Sequence, residues 1–151
     1  MKNKLKLKII ILINSFLLLY LSYLYYENVY LIKESCIPKE LVRLEFNKID
    51  FDKLIYGKWD NLIVVSPYTL KDVEKNLKIN FNRLANKSID YGEGQSLFIF
   101  CEKNKIESYF YIPYDIAEVD FSNLCNKKIN RSDSLFLINK KGINPKLYKI
   151  N

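Results

Sequence analysis

The chain has 151 residues, of which 24 are basic and 17 acidic, giving a formal net charge of +7, and it contains no histidine. The lack of histidine excludes Ser–His and Cys–His nucleophile pairs, histidine general bases and histidine metal sites. Lys2, Lys4, Lys6 and Lys8 carry four of the positive charges, which leaves 20 basic and 17 acidic side chains in the rest of the chain. This near balance is typical of an ordinary protein surface, and we expect no nucleic-acid partner.

An uncharged apolar run follows the N-terminal lysines. It covers residues 9–26, close to the roughly 20 residues that a helix needs to cross a bilayer. We therefore predict a transmembrane helix at 9–26, in contact with the lipid bilayer, after a cytoplasmic basic tail at 1–8, because flanking lysines favour the cytoplasmic side. Tyrosines crowd the far end, where their rings suit the headgroup layer. Residues 31–151 are then expected outside the cytoplasm, at the cell (inner or plasma) membrane.

Two other interpretations of the apolar run stay open: a cleaved signal peptide and a helix buried in a soluble domain. Signal peptides have an apolar core of about 7–15 residues and a small-residue cleavage site, whereas this run is longer and leaves through Leu-Ser-Tyr-Leu-Tyr-Tyr-Glu. Cys36 does not fit a lipid-attachment sequence either, because Lys33 and Glu34 place charges just before it. These features favour an anchor that is retained.

The rest of the chain is predicted to hold one small domain. Residues 27–40 are interpreted as a stalk, and residues 41–151 are long enough for a domain with its own core. Its elements predict a strand, a helix and then three further strands, the last at residues 134–138. This order indicates an α+β fold, with one main amphipathic helix packed on a mostly antiparallel sheet.

The strand and helix at the start of this domain have the clearest local signals. Residues 62–65 form an unbroken β-favouring run, typical of a strand covered on both faces. Pro67 ends the run, Thr69 suits a helix N-cap, and Asp72 completes a capping-box pattern. The helix is predicted to reach about Asn86, since its apolar residues recur at spacings of three and four: Leu70, Val73, Leu77, Phe81 and Leu84.

A β-hairpin is predicted from two further β-favouring runs. Residues 97–101 and 106–112 flank the polar sequence Glu-Lys-Asn-Lys, in which Lys103 and Asn104 suit a two-residue turn. This turn implies a register in which Phe98 faces Tyr109.

The three cysteines are too far apart for a CxxC redox or zinc motif. Outside the cytoplasm, a Cys101–Cys125 disulfide would fit the oxidising compartment. The alternative is that Cys101 is a small buried apolar residue on a strand. If the disulfide forms, Cys36 is left over close to the membrane, for an intermolecular bond or for none.

Trp59-Asp60 and, after six residues, Pro67-Tyr68-Thr69 flank the predicted strand. This arrangement resembles a pattern in uncharacterised small bacterial lipoproteins and membrane-anchored proteins, where a Trp-Asp pair opens a strand and a Pro-Tyr-Thr turn starts the next helix. The resemblance covers about residues 46–112 and implies the domain boundaries but no activity. The chain departs from the lipoproteins in lacking their lipid-attachment cysteine.

This motif has a structural and a functional interpretation. In the structural one, Trp59 anchors the core and Asp60 accepts backbone hydrogen bonds. In the functional one, Trp59, Asp60 and Tyr68 form part of a binding surface, because aromatic side chains dominate the energetics of many interfaces.

Two carboxylate pairs with i,i+2 spacing, Asp50/Asp52 and Glu118/Asp120, share strand faces if their segments are extended. Paired carboxylates can serve acid–base catalysis or hold a cation, but pairs this simple are frequent by chance. We expect no catalytic residues, no metal and no cofactor.

The sequence therefore favours a non-enzymatic module that binds a protein partner outside the cytoplasm. Two roles fit: an immunity-type inhibitor that captures a toxin in the bacterial envelope, and an accessory subunit of an envelope complex. A small envelope enzyme acting on a cell-wall or lipid substrate is one alternative. A structural protein that oligomerises through Asn14 and the span is another.

Overall fold

The structure is a computed structural model that describes residues 2–27, 31–43, 47–85, 94–122, 124, 127–140 and 145–150. The chain divides into two compact units, Met1–Ile32 and Lys33–Asn151. The first unit contains helix α1 (Lys2–Tyr25), in which Lys8–Tyr25 is long and apolar enough to cross a membrane. By length and composition, α1 qualifies as a membrane anchor or as a signal sequence.

The second unit is an α+β domain, as predicted. Its helices are α2 (Lys39–Arg43), α3 (Phe51–Leu54) and α4 (Leu70–Leu77). Its strands are β1 (Lys48–Asp50), β2 (Asn61–Val65), β3 (Gln95–Glu102), β4 (Lys105–Pro113), β5 (Glu118–Val119), β6 (Ile129–Asn130), β7 (Leu135–Asn139) and β8 (Lys146–Lys149). The domain begins at Lys33, so residues 33–40, interpreted from sequence as part of a stalk, belong to this unit.

The described strands form two sheets of four strands each, in the orders β4-β3-β2-β6 and β1-β7-β8-β5. All pairings in the first sheet are antiparallel, and in the second only β5 and β8 run parallel. The predicted mostly antiparallel architecture is confirmed. The division into two sheets was not predicted, because the second sheet joins short strands that lie far apart in sequence.

One apolar core takes residues from both sheets, with Phe51 at its centre. The Phe51 ring lies 5.4 Å from Phe98 and 5.4 Å from Phe136, which belong to different sheets, and 6.0 Å from Phe100. Aromatic pairs at these distances contribute about 0.5–1.5 kcal/mol each beyond the area that they bury. Phe51 therefore links the two sheets.

Strand β2 is buried on both faces, as predicted. Leu62 and Val64 belong to the shared core, and their neighbours Ile63 and Val65, which point the other way, are also fully buried. Helix α4 follows β2 directly and buries Leu70 and Val73 outside that core, consistent with a second apolar layer on this side.

Helix α4 is shorter than predicted. It ends at Leu77, where Lys78 adopts a left-handed conformation with φ 54°, and residues Phe81–Arg83 form a separate 3-10 turn. The expected side-chain cap at Thr69 is absent: its backbone, with ψ 3°, is not in the extended conformation typical of an N-cap, and its hydroxyl donates to the Ser66 carbonyl at 2.9 Å. The predicted helix end at Asn86 lies outside the described residues.

The hairpin of β3 and β4 is confirmed, but its predicted register is wrong beyond the first pair. A bulge shifts the pairing after Cys101–Ile106, so that Phe98 faces Phe110 instead of Tyr109. One extra residue in a strand moves every later side chain to the other face. Phe110 thereby joins the core, its ring stacked 5.7 Å from that of Phe98.

Candidate functional site

Trp59 lies two residues before β2 and is only 5% exposed. Its indole Nε1 donates to the Ile55 carbonyl at 3.0 Å, and its ring packs at 5.1 Å, edge to face, against Phe100. The guanidinium carbon of Arg131 lies 4.7 Å from the ring centroid, at cation–π distance. With almost no surface of its own, Trp59 supports neighbouring segments.

Asp60, the next residue, fastens the β3–β4 turn to the start of β2. Both of its carboxylate oxygens accept the backbone N–H of Lys103, at 3.1 and 2.9 Å. This backbone hydrogen bond is the main cause that lowers the pKa of Asp60 below its usual value. The Asp60 carbonyl also accepts the backbone N–H of Arg131 at 2.8 Å.

Tyr68 lies beyond the other end of β2 and is 58% exposed. Since β2 has five residues, a strand about 17 Å long separates Tyr68 from Trp59 and Asp60. The structure thus brings Trp59 and Asp60 together but places Tyr68 elsewhere. The three-residue binding surface stays a prediction, and its tryptophan faces the interior.

Tyr56, three residues before Trp59, is an aromatic side chain that is 93% exposed. It lies in the loop of residues 55–58, which we call the braced loop because several interactions hold its backbone. The Ile55 N–H donates to the Phe51 carbonyl at 3.0 Å, and the Ile55 carbonyl accepts the Trp59 indole. Gly57 has a φ of 110°, a backbone conformation that residues other than glycine rarely adopt.

Arg131 fixes the braced loop from a distant part of the chain. Its Nη1 donates to the Gly57 carbonyl at 3.1 Å and to the Trp59 carbonyl at 3.3 Å. Its Nη2 donates to the Asp52 carbonyl at 3.2 Å, while its Nε donates to the Asp52 carboxylate. The rigid guanidinium fork thus joins three backbone carbonyls and one carboxylate, which the point charge of a lysine could not reproduce.

Beside the braced loop lies an open cavity of about 540 Å³, which we call the groove. Its walls are residues 35–40, residues 53–56, and Ser108 and Phe110 of β4. Its volume falls within the roughly 300–1,000 Å³ of small-molecule and cofactor sites. A second hollow of about 290 Å³ shares Glu40, Lys53 and Leu54 with it.

The groove has an apolar lining and a charged rim. Ile37, Leu54 and Ile55 pack in part against the core from this side, whereas Lys39 and Glu40 add charges of both signs. The backbone N–H of Ser35 donates to the Tyr109 carbonyl at 2.8 Å and so ties one wall to β4. An amphipathic ligand or an apolar side chain of a partner suits such a lining.

The first predicted carboxylate pair has structural partners. Asp50 caps α3 through the Asp52 N–H at 3.2 Å and pairs with Lys53 at 3.0 Å, while Asp52 pairs with Arg131.

The second pair also takes part in local structure. Glu118 lies 3.7 Å from Lys146, and Asp120 accepts the Ser122 N–H at 2.9 Å, which lowers the pKa of Asp120. Among the described residues, no three Cys, Asp or Glu side chains are grouped as metal ligands.

The two described cysteines differ in environment. Cys36 is exposed and lines the groove, whereas Cys101 is buried in β3 as a free thiol. Burial raises the pKa of Cys101 to about 12. The structure has Cys101 reduced, and Cys125 lies outside the described residues, so oxidation of the two cysteines to a disulfide stays a prediction.

The fold and the groove together define an α+β domain that follows an apolar helix and presents a braced aromatic loop beside an open cavity. No family model matches the chain, and neither a curated protein nor a solved structure matches it.

Tyr56 is not among the residues predicted from the sequence, although a local signal exists. The glycine that follows Tyr56, between the apolar pair Leu54-Ile55 and Trp59, favours a short turn, and connecting segments run over the protein surface. Its bracing depends on Arg131, and no pattern near Tyr56 indicates that contact.

Proposed function

We propose that this protein is a single-pass membrane protein whose domain binds a protein partner without catalysing a reaction. Helix α1 is the retained anchor, with the N-terminal lysines in the cytoplasm and residues 31–151 outside it. An immunity-type inhibitor and an accessory subunit of an envelope complex both fit this arrangement. In either role, the anchor keeps the binding domain at the membrane where the partner arrives.

The observation that carries this proposal is the exposure of Tyr56 on the braced loop. A tyrosine side chain that is 93% exposed has no role in the core of the domain. The hydrogen bonds to the Ile55 and Gly57 carbonyls hold the loop before any partner binds. Ordering a loop in advance reduces the entropy lost on association, and tyrosine is among the residues enriched at interface hot spots.

The groove supplies the second half of the binding surface. It opens beside Tyr56, so a partner that stacks on this ring also covers Leu54 and Ile55 and removes their apolar surface from water. The rim lysine and glutamate, Lys39 and Glu40, then contribute to the selection of the partner more than to its affinity. We expect a partner that inserts an apolar side chain into the groove and places polar groups against Lys39 and Glu40.

The proposal is tested by photo-crosslinking in cells that express the full chain. A photoreactive phenylalanine analogue at position 56 is expected to give one discrete adduct, and the same analogue at position 68 is expected to give little. Tyr56→Ala is expected to lower the affinity for the purified adduct partner at least about 30-fold, which corresponds to a hot spot of about 2 kcal/mol. Because Tyr56 is exposed, its removal leaves stability within about 0.5 kcal/mol.

Tyr68→Ala is the matched control, since Tyr68 is also exposed but lies at the far end of β2. Adducts from position 68, together with unchanged binding by the Tyr56→Ala protein, would show that the partner binds at Tyr68, one of the residues predicted from sequence, and not at Tyr56. A chain that gives no discrete adduct from either position would refute the binding proposal.

A further inference from the structure

Helix α1 carries one side-chain amide within its apolar stretch, that of Asn14. Asn14 lies six residues after Lys8, the first residue of the span, or about 9 Å along the helix axis. It is exposed on the helix surface. The neighbouring hydroxyl of Ser15 is satisfied within the helix, because it donates to the Ile11 carbonyl at 2.9 Å. In hydrocarbon, the amide of Asn14 would lack water as a partner.

Asn14 belongs to a regular row of positions along α1, which we call the seam. The seam residues are separated by four, three, four and three positions, the spacing of heptad positions a and d: Ile10, Asn14, Leu17, Leu21 and Leu24. Apart from Asn14, the seam is entirely leucine and isoleucine. The residues least suited to close helix packing lie off it: Lys8, Phe16, Tyr20, Tyr23 and Tyr25.

We infer that α1 pairs with α1 of a second copy of this chain along the seam, with the two Asn14 amides hydrogen-bonded to each other. This inference rests on the membrane anchoring proposed above and adds a partner that the groove does not involve. All copies enter the membrane in one orientation, so two paired helices run parallel and place both Asn14 side chains at the same depth. An amide is both donor and acceptor, which makes the pair self-complementary.

Two physical effects make this pairing specific. Membrane helices mostly cross at about +20°, as coiled coils do, and a heptad seam suits that geometry. A single asparagine at an a position also fixes the register of the two helices, because a shifted pair would leave both amides in hydrocarbon without a hydrogen-bond partner. Leucine packing alone would leave several faces of this helix nearly equivalent, and Asn14 selects one of them.

The test measures energy transfer between copies of the full chain in phospholipid vesicles. The donor and acceptor dyes are attached to Cys36, which is exposed, while Cys101 is buried and Cys125 is replaced by serine. Transfer is recorded as the protein-to-lipid ratio is varied. Asn14→Leu keeps the helix apolar and is expected to weaken association about 5- to 30-fold, the range for hydrogen bonds between model membrane helices. Asn14→Gln keeps an amide and is expected to retain most of the association.

Ser15→Leu is the matched control, because it removes a polar group next to Asn14 that lies off the seam and already has an intrahelical partner. It is expected to associate like the wild type. Equal association of the Asn14→Leu and wild-type proteins overturns the pairing, as does an intact wild-type chain that stays monomeric at every ratio. In both cases the binding function of Tyr56 stands. A chain isolated from cells without α1 overturns the pairing and the anchoring together.

Discussion

Replacing Arg131 by lysine tests whether one side chain holds the braced loop. The substitution keeps the positive charge but removes the planar fork that reaches the Gly57, Trp59 and Asp52 carbonyls. It also removes the guanidinium from the face of the Trp59 ring. We therefore expect Arg131→Lys to destabilise the domain even though its net charge is unchanged.

The expected loss follows from these contacts. The three hydrogen bonds to the Gly57, Trp59 and Asp52 carbonyls contribute about 1 kcal/mol each, and the contact with the Trp59 ring contributes about 0.5–1 kcal/mol. The ion pair with Asp52 adds little, since its side chains are 34% and 46% exposed and lysine can restore part of it. Because lysine can keep one of the three hydrogen bonds, we expect the loss of the other two and of the ring contact to lower the free energy of unfolding by about 2–3 kcal/mol.

Urea unfolding of the full chain in detergent micelles measures this loss. Trp59 is the only tryptophan and is buried, so its fluorescence reports on the domain that contains the loop. The urea midpoint is expected to fall while the slope m stays constant, which marks a change in stability alone. Lys53→Ala is the control, because the Lys53–Asp50 pair is largely exposed and its loss should cost less than about 0.5 kcal/mol.

An Arg131→Lys protein whose free energy of unfolding lies within about 0.5 kcal/mol of the wild-type value would contradict this prediction. In that case the hydrogen bonds of the guanidinium would exchange freely with water, and the exposure of Tyr56 would not reflect a loop that is ordered in advance. A large loss in the Lys53→Ala protein would equally show that surface charge, and not the fork, determines stability here.

Two further predictions concern ionisable groups of the domain. A membrane-impermeant maleimide applied to intact cells at pH 8 is expected to label the full chain through Cys36, with the label lost in Cys36→Ser; labelling only after lysis would reverse the proposed orientation. Cys101 should stay unlabelled until the domain unfolds, because its pKa is raised to about 12 and its thiol is buried. The lowered pKa of Asp60 means that its carboxylate stabilises the fold above its unfolded pKa of 3.8 and loses this effect as the pH falls through the folded value. Asp60→Asn should therefore lower the urea midpoint at pH 6 but not at a pH low enough to protonate the folded-state carboxylate, and a difference that persists there would contradict this assignment.

The parts of the fold that the sequence predicts are those determined by nearby residues. The run 62–65 is a strand because β-branched residues and a following proline act locally, and the hairpin turn at Lys103 and Asn104 is set by two adjacent residues. The start of α4 at Leu70 is likewise local. Its early end was missed, since Lys78 adopts the left-handed conformation without the glycine that usually marks such a cap.

The rest of the fold depends on contacts that no local pattern encodes. The hairpin bulge changes the register by one residue, and no glycine or proline in the strands near it indicates its position. The second sheet contains β5, which is only two residues long, and β8, whose residues have little alternation. Short strands of this kind become strands through their partners in the fold.

The candidate site also combines a feature that nearby residues predict with features that depend on distant contacts. The sequence singles out Trp59 correctly as an unusual residue, but its burial depends on Phe100 and Arg131, which lie 41 and 72 positions later. The contacts that bury Trp59 also fix the backbone on both sides of Tyr56 and leave the Tyr56 side chain exposed. Neither fact follows from the residues around position 59.

The second sheet also determines when this domain can fold. Its strand β1 pairs Lys48 with Leu137, so the pairing waits for a segment 89 positions further along the chain. Phe51 follows β1 directly, and its packing against Phe136 waits for the same segment. Contacts between such distant residues slow folding, and we expect the chain to stay unfolded during most of its synthesis. A chain that folds this late remains able to thread through a translocation channel.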